Sequence, residues 1–232
     1  MELKVVVPTS LSEITLEQYQ RFARLEGDEE FLTHKMLEIF CGVPLADLPN
    51  VKFTSVANVM RHINTMFEEK PNLKPTFTIG DQEFGFIPNL EDITFGEYVD
   101  LDNYMGDVQN LHKTMAVLYR PVTEKAGKRY SIEAYDSAQK YEQQMKDAPM
   151  DAVMGASLFF WRLGNDLLLA TLTSLEKEKT NTQAKPSSEG NGDGTLPSIS
   201  SLKEMLQDLT ESEGLVFTKP LPFSFLKEKE LN

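Results

Sequence analysis

A nine-residue pattern occurs twice in this chain. Leu11 to Tyr19 reads LSEITLEQY and Leu90 to Tyr98 reads LEDITFGEY, which share L-x-[ED]-I-T-Φ-x-[QE]-Y. Each copy spells the start of a helix. Thr15 and Thr94 are placed to accept from an amide of the first turn, while Gln18 and Glu97, three residues on, are placed to accept from the amide of the capping threonine. Ile14 with Tyr19, and Ile93 with Tyr98, occupy the two positions of a hydrophobic staple. A β-branched or aromatic run ending in proline precedes both copies: Val5-Val6-Val7-Pro8 and Phe86-Ile87-Pro88. A second apolar helix carrying His-Lys follows both, with His34-Lys35 before MLEIFCGVP and His112-Lys113 before TMAVLYRPV. Two diverged units of strand, proline loop, helix and helix are therefore expected.

The fold class that follows is mainly α (α+β): a helical body built from two such units, a small antiparallel sheet or hairpin, and a C-terminal arm. In the first unit, a strand is expected over Leu3 to Val7, then a capped helix from Thr15 to about Leu25 and a turn at Gly27-Asp28. A helix ending at Gly42 and Pro44 follows, and another runs from Ser55 to Glu69. Two β-prone runs around Gly80-Asp81, within Phe77 to Ile87, read as a hairpin that with the N-terminal strand makes a three-stranded sheet. The second unit supplies a helix from Phe95 and another from about Asp107 to Tyr119, stopped by Arg120-Pro121. Ala126-Gly127-Lys128 reads as a turn, Ile132 to Lys146 as a polar helix, and Pro149 as the opening of a long apolar helix to about Lys177. The expected organisation is a body over residues 1–176, with units of about 1–70 and 75–125 plus helices over 131–176. A flexible linker over 177–200 and a C-terminal helix and docking arm over 201–232 complete it.

The linker expectation rests on composition. Residues 177–200 hold almost nothing to bury, and 24 residues of coil span on the order of 27 Å root-mean-square. Apolar sequence returns in the arm. Ser201 to Glu204 is a third capping box, and Leu202, Met205, Leu206 and Leu209 form one stripe on a short helix. Phe217, Leu221, Phe223 and Phe225 follow on an extended, proline-containing stretch. These eight residues are the candidate partner-binding set.

Charge and composition exclude several function classes. With 36 acidic against 23 basic residues and a net charge of -13, the chain lacks the cationic surface that displaces counterions from nucleic acid, so no direct nucleic-acid binding is expected. The single cysteine, Cys41, forms no intrachain disulfide and sits in an apolar helix end that favours packing. MELKVVVPTS lacks a cationic start and a continuous apolar run, so no secretory signal is expected. Asp151, Arg162, Asn165 and Asp166 interrupt the apolar stretch from Met150 to Leu172. An Asp or Arg at a helix centre costs about 2.5–3.5 kcal/mol in a bilayer, so no membrane span is expected.

Catalytic and cofactor signals are thin. Gly155-Ala156-Ser157-Leu158-Phe159 lacks the second glycine of a nucleophile elbow and sits within a helix, where small residues allow close packing. Gly80 to Gly85 has no following Lys-Ser or Lys-Thr and is no phosphate-binding loop. His34, His62 and His112 have no His or Cys partner at metal-ligand spacing, and the two histidines of the repeat read as a structural element used twice. Glu97, Asp100, Asp102 and Asp107 are the remaining acidic group, read as a solvated surface before a divalent-metal site. Trp161 and Phe159-Phe160 read as core. The expectation is no cofactor, no metal and no catalysis.

The blocks ITFGEYVDLDNY (Ile93 to Tyr104), LHKTMAVLYRPV (Leu111 to Val122) and YSIEAYDS (Tyr130 to Ser137) resemble small acidic proteins encoded in the virion structural modules of tailed bacteriophages, including gut crAss-like phages. The resemblance covers about residues 75–170, and MAVLYRPV is its most specific part. It implies a virion protein made in the host bacterial cytoplasm. Two roles fit: a ring or adaptor subunit of the portal and tail assembly (a head-tail connector type), or a tail assembly chaperone. The implied partners are further copies of the chain in a ring-forming homo-oligomer and other virion proteins such as portal or tail ring proteins. A metal-dependent enzyme is the third class. An apolar arm that reaches a neighbour favours the ring subunit, because a closed ring repeats one heterologous interface.

Overall fold

The computed structural model describes residues 6–44 and 46–182. Both copies of the nine-residue pattern fold as one local device. A 3-10 turn, Leu11–Glu13 or Leu90–Asp92, leads through an extended isoleucine to an extended threonine. Helix α1 (Leu16–Ala23) and helix α4 (Phe95–Tyr104) then begin. At the first cap, Gln18 N donates to Thr15 Oγ1 at 3.2 Å and Thr15 N donates to Gln18 Oε1 at 2.9 Å. At the second, the same two bonds join Glu97 and Thr94 at 3.3 and 2.7 Å. Each cap satisfies two main-chain donors that a helix start otherwise leaves open. Thr15→Ala and Thr94→Ala are each expected to destabilise the chain by about 1 kcal/mol, read as a lower urea midpoint at unchanged slope.

Helix α2 (Glu29–Cys41) starts on Asp28, whose carboxylate accepts from Phe31 N at 2.8 Å, and ends at Gly42 with φ 65°. Only a residue tolerant of the left-handed region closes a helix this way. Helix α3 (Phe53–Phe67) follows. The three helices meet through aromatic rings: Phe22 lies 5.5 Å from Phe40, and Phe40 and Tyr19 each lie 5.7 Å from Phe67, centroid to centroid. Cys41 is buried beside them, and burial pushes its thiol pKa up to about 11, which suits packing and not nucleophilic attack.

The sheet departs from expectation. Strands β1 (Thr76–Ile79) and β2 (Gln82–Phe86) form the expected hairpin, with Gly80 at φ 58° in the turn. The next strands come from Tyr119–Ala126 (β3) and Arg129–Ile132 (β4), giving an all-antiparallel sheet of order β1-β2-β3-β4. Of the N-terminal strand expected over Leu3 to Val7, Val6 and Val7 lie outside any strand, and residues 1–5 are outside the described residues. Helix α5 (Leu111–Leu118) ends before Arg120-Pro121 as expected, but it passes into β3 without an intervening loop, so the same pair continues as strand. A proline inside a strand normally forfeits a ladder bond. Here Glu133 N donates to Pro121 O at 2.9 Å, and the Glu133 carbonyl that Pro121 has no N–H to reach accepts instead from Arg120 Nε at 2.7 Å. The side chain before the proline supplies what the proline lacks. The helix expected over Ile132 to Lys146 is likewise absent. Its residues form the end of β4, irregular chain and two 3-10 turns, Ala138–Lys140 and Gln144–Asp147, anchored by fully buried Ala138 and Met145.

Helix α6 (Met150–Thr182) begins after Pro149 as expected, and its first turns bury Met150, Ala152, Val153 and Ala156 completely. The close approach attributed to Ser157 falls at Gly155, where an added Cβ would stand 2.4 Å from Asn72 O. The chain divides within this helix into two compact units, one running to Ala156 and the other starting at Ser157. In the second unit Phe159 and Phe160 meet edge to face, with centroids 5.3 Å apart. The helix continues through Lys177–Thr182, so the start of the expected linker is helical. The rest of that linker and the arm over 201–232 lie outside the described residues. No helix among the described residues is long and apolar enough to cross a membrane.

Candidate functional site

Helix α4 has two unlike faces. Its inner face carries Glu97 and Leu101, both buried, and Asp100 one step round. Arg120 of β3 reaches Glu97 with Nη1, which also donates to Val117 O at 3.1 Å, and the Tyr135 ring lies 5.4 Å from the guanidinium carbon. Glu97 Oε2 meanwhile accepts from the Thr94 amide and hydroxyl, each at 2.7 Å. Burial alone would raise the Glu97 pKa, but the bonds from Thr94 and Arg120 outweigh it and hold the carboxyl below its ordinary value. The capping glutamate thus does two jobs, capping the start of the helix and fixing it to the sheet. Its counterpart Gln18 is neutral and donates to Ile39 O at 2.9 Å. Tyr135 donates to Asp100 and so holds the same helix from a second direction; its pKa is raised, first by burial and then by that bond.

The outer face carries Phe95, Tyr98 and Val99, at 81%, 59% and 37% exposure. A 3.6-residue period sets Phe95 and Val99 on the side of α4 away from Glu97 and Leu101, with Tyr98 on the flank beside them. The corresponding residues of the first copy are hidden: Leu16 is fully buried and Tyr19 nearly so. In the first copy the Tyr19 ring packs on Phe67 of α3, and the cap itself is also bridged. There Thr15 is bridged by Pro149 on an antiparallel segment, with Leu16 N donating to Ala148 O and Met150 N donating to Ile14 O, both at 2.9 Å. Among the described residues no segment bridges Thr94 in this way. Nothing in the two nine-residue patterns distinguishes the covered copy from the open one.

Searches with protein-family models, curated proteins and solved structures find no match to this chain.

The other candidates are scattered. Asp107 accepts from Gln109 N and Asn110 Nδ2, each at 2.8 Å, and Asp102 is exposed, so the acidic group of the sequence is not brought to one point. Among the described residues no three His, Cys, Asp or Glu side chains form a metal-holding group. His112 is buried, with Nδ1 3.1 Å from Gln20 Nε2, and burial followed by Lys146 lowers its pKa. His34 instead lines an open groove of about 610 Å³ with Glu30, Leu37, Val51 and Phe53. The two histidines therefore do different jobs, contrary to the equivalence read from the repeat. His62 Nε2 lies 3.0 Å from Pro8 O. The eight residues proposed from sequence as the partner-binding set, Leu202 to Phe225, lie outside the described residues. Phe95, Tyr98 and Val99 carry no sequence signal of a binding face, because a tyrosine at a staple position and its neighbours read as packed.

Proposed function

We propose that this chain is a structural component of a tailed-phage virion, a ring or adaptor subunit of the portal and tail assembly that acts by protein–protein contact and not by catalysis. The observation that carries this reading is the outer face of α4. Three large apolar side chains stand in water on a helix whose inner face is tied down by a buried ion pair and a tyrosine, and a rigid apolar patch of that kind marks an interaction surface. The proposed partners are neighbouring copies and other virion proteins such as portal or tail ring proteins. The excess of acidic residues supports a role beside passing DNA, which a like-charged wall repels. We further propose that the body arose by duplication. Two matched turn, cap and helix modules support it, and the units part after their second helices, one entering a loop and the other a strand.

Mass spectrometry of purified virions tests the reading. The chain is expected at a fixed stoichiometry in finished particles. Its presence in assembly intermediates and absence from finished particles would replace the ring subunit with the tail assembly chaperone.

A further inference from the structure

The first copy of the repeat carries a bridge at its cap. There, an apolar residue, a proline and an apolar residue (Ala148-Pro149-Met150) lie antiparallel to Ile14-Thr15-Leu16. The residue before the proline accepts from the first amide of the helix, and the residue after it donates to the isoleucine carbonyl. Proline stands opposite the capping threonine, where the bridge asks it for no N–H. The second copy has the same isoleucine, threonine cap and helix start at Ile93-Thr94-Phe95, and the apolar side chains next to that edge are exposed.

We propose that Leu221-Pro222-Phe223 of a neighbouring copy of this chain lies antiparallel along Ile93-Thr94-Phe95, placing its apolar side chains against Phe95, Tyr98 and Val99. This rests on the reading of the chain as a repeating subunit. The Leu221 carbonyl accepts from Phe95 N, Phe223 N donates to the Ile93 carbonyl, and Pro222 stands opposite Thr94. The match is one of chemistry as well as of order. Residues 215–227, LVFTKPLPFSFLK, hold two lysines and no acid, whereas residues 90–107 hold six acids and no base. An apolar strand with flanking cations therefore meets an apolar helix face set in negative charge. The stretch of chain between Thr182 and Leu221 gives the segment the length to leave its own body.

The test uses the full chain with a benzophenone amino acid in place of Tyr98, in an equal mixture of isotopically light and heavy protein. After irradiation, cross-linked peptides are sequenced by mass spectrometry. The expected product joins α4 to residues 215–227 and includes light–heavy pairs. Adding Phe223→Asp to the same chain should lower that yield by about tenfold, with the thermal midpoint of the body unchanged. Cross-links to any other segment, the absence of cross-links, or pairs that are only light–light and heavy–heavy would overturn the proposal, the last because they mean docking within one chain. Failure of the virion reading is separable: cross-links with mixed pairs in a protein absent from particles leave the docking in place and remove the ring role.

Discussion

Replacing Arg120 with alanine should cost the fold about 3–5 kcal/mol, because it strands the Glu97 carboxylate in a site that excludes water. Both side chains are under one-tenth exposed, and Arg120 also serves Val117 O and Glu133 O. Urea unfolding is expected to show a reduced midpoint, together with weaker amide-exchange protection in α4 and at the β3–β4 ladder. Glu97→Gln should cost less than Arg120→Ala, since glutamine keeps an acceptor for the Thr94 amide, as Gln18 does at the first cap. The double variant Glu97→Gln/Arg120→Met should be more stable than Arg120→Ala alone, because removing both charges removes the unpaired one. The pH dependence has a defined sign. The folded carboxyl of Glu97 titrates below its unfolded value of about 4.3. Its contribution is therefore fully present above that value and is lost as the pH falls through the lower, folded one. A stability that is flat between pH 7 and pH 3 in the wild type would show that Glu97 is not held in this way.

Gly155→Ala should destabilise the chain by about 1–3 kcal/mol, although alanine is the better helix former by about 1 kcal/mol. The added methyl would meet Asn72 O at 2.4 Å and Asn72 C at 3.0 Å. Both are main-chain atoms, so relief requires moving backbone and not rotating a side chain. The contact joins the start of α6 to the segment before β1. Gly164, on the same helix, has open space around the equivalent point, so Gly164→Ala is the control expected to be neutral or stabilising. Thermal melts should fall for Gly155→Ala and hold or rise for Gly164→Ala, and a gain for Gly155→Ala would show that the two segments are farther apart than 2.4 Å implies.

The exposed face of α4 follows from the same construction that makes Arg120 sensitive. A helix fixed on one side by an ion pair keeps the other side in a constant orientation, so Phe95, Tyr98 and Val99 present a shaped surface with little ordering cost left to a partner. Under the proposed reading, stability and recognition are coupled through Glu97. Loosening the inner face should weaken any contact made by the outer one.

What the sequence determined by itself is local. Both threonine caps, the helix end at Gly42 and the Gly80-Asp81 hairpin depend on a few adjacent residues whose hydrogen bonds close within one turn, so their patterns could be read directly. The strand character of Tyr119–Ala126 could not. Arg120-Pro121 signals a stop in every local sense, and it is the pairing with β2 on one side and the arrival of Glu133 on the other, with Arg120 supplying the bond that Pro121 cannot, that lets the strand continue. The repeat makes the same division sharper. Leu16 and Phe95 hold one position in one motif, yet one is buried and the other open, and it is to the first cap that Ala148-Pro149-Met150 returns from far along the chain. Capping is settled by neighbours in sequence, whereas burial is settled by which distant segment comes back, and that is a property of the tertiary structure alone.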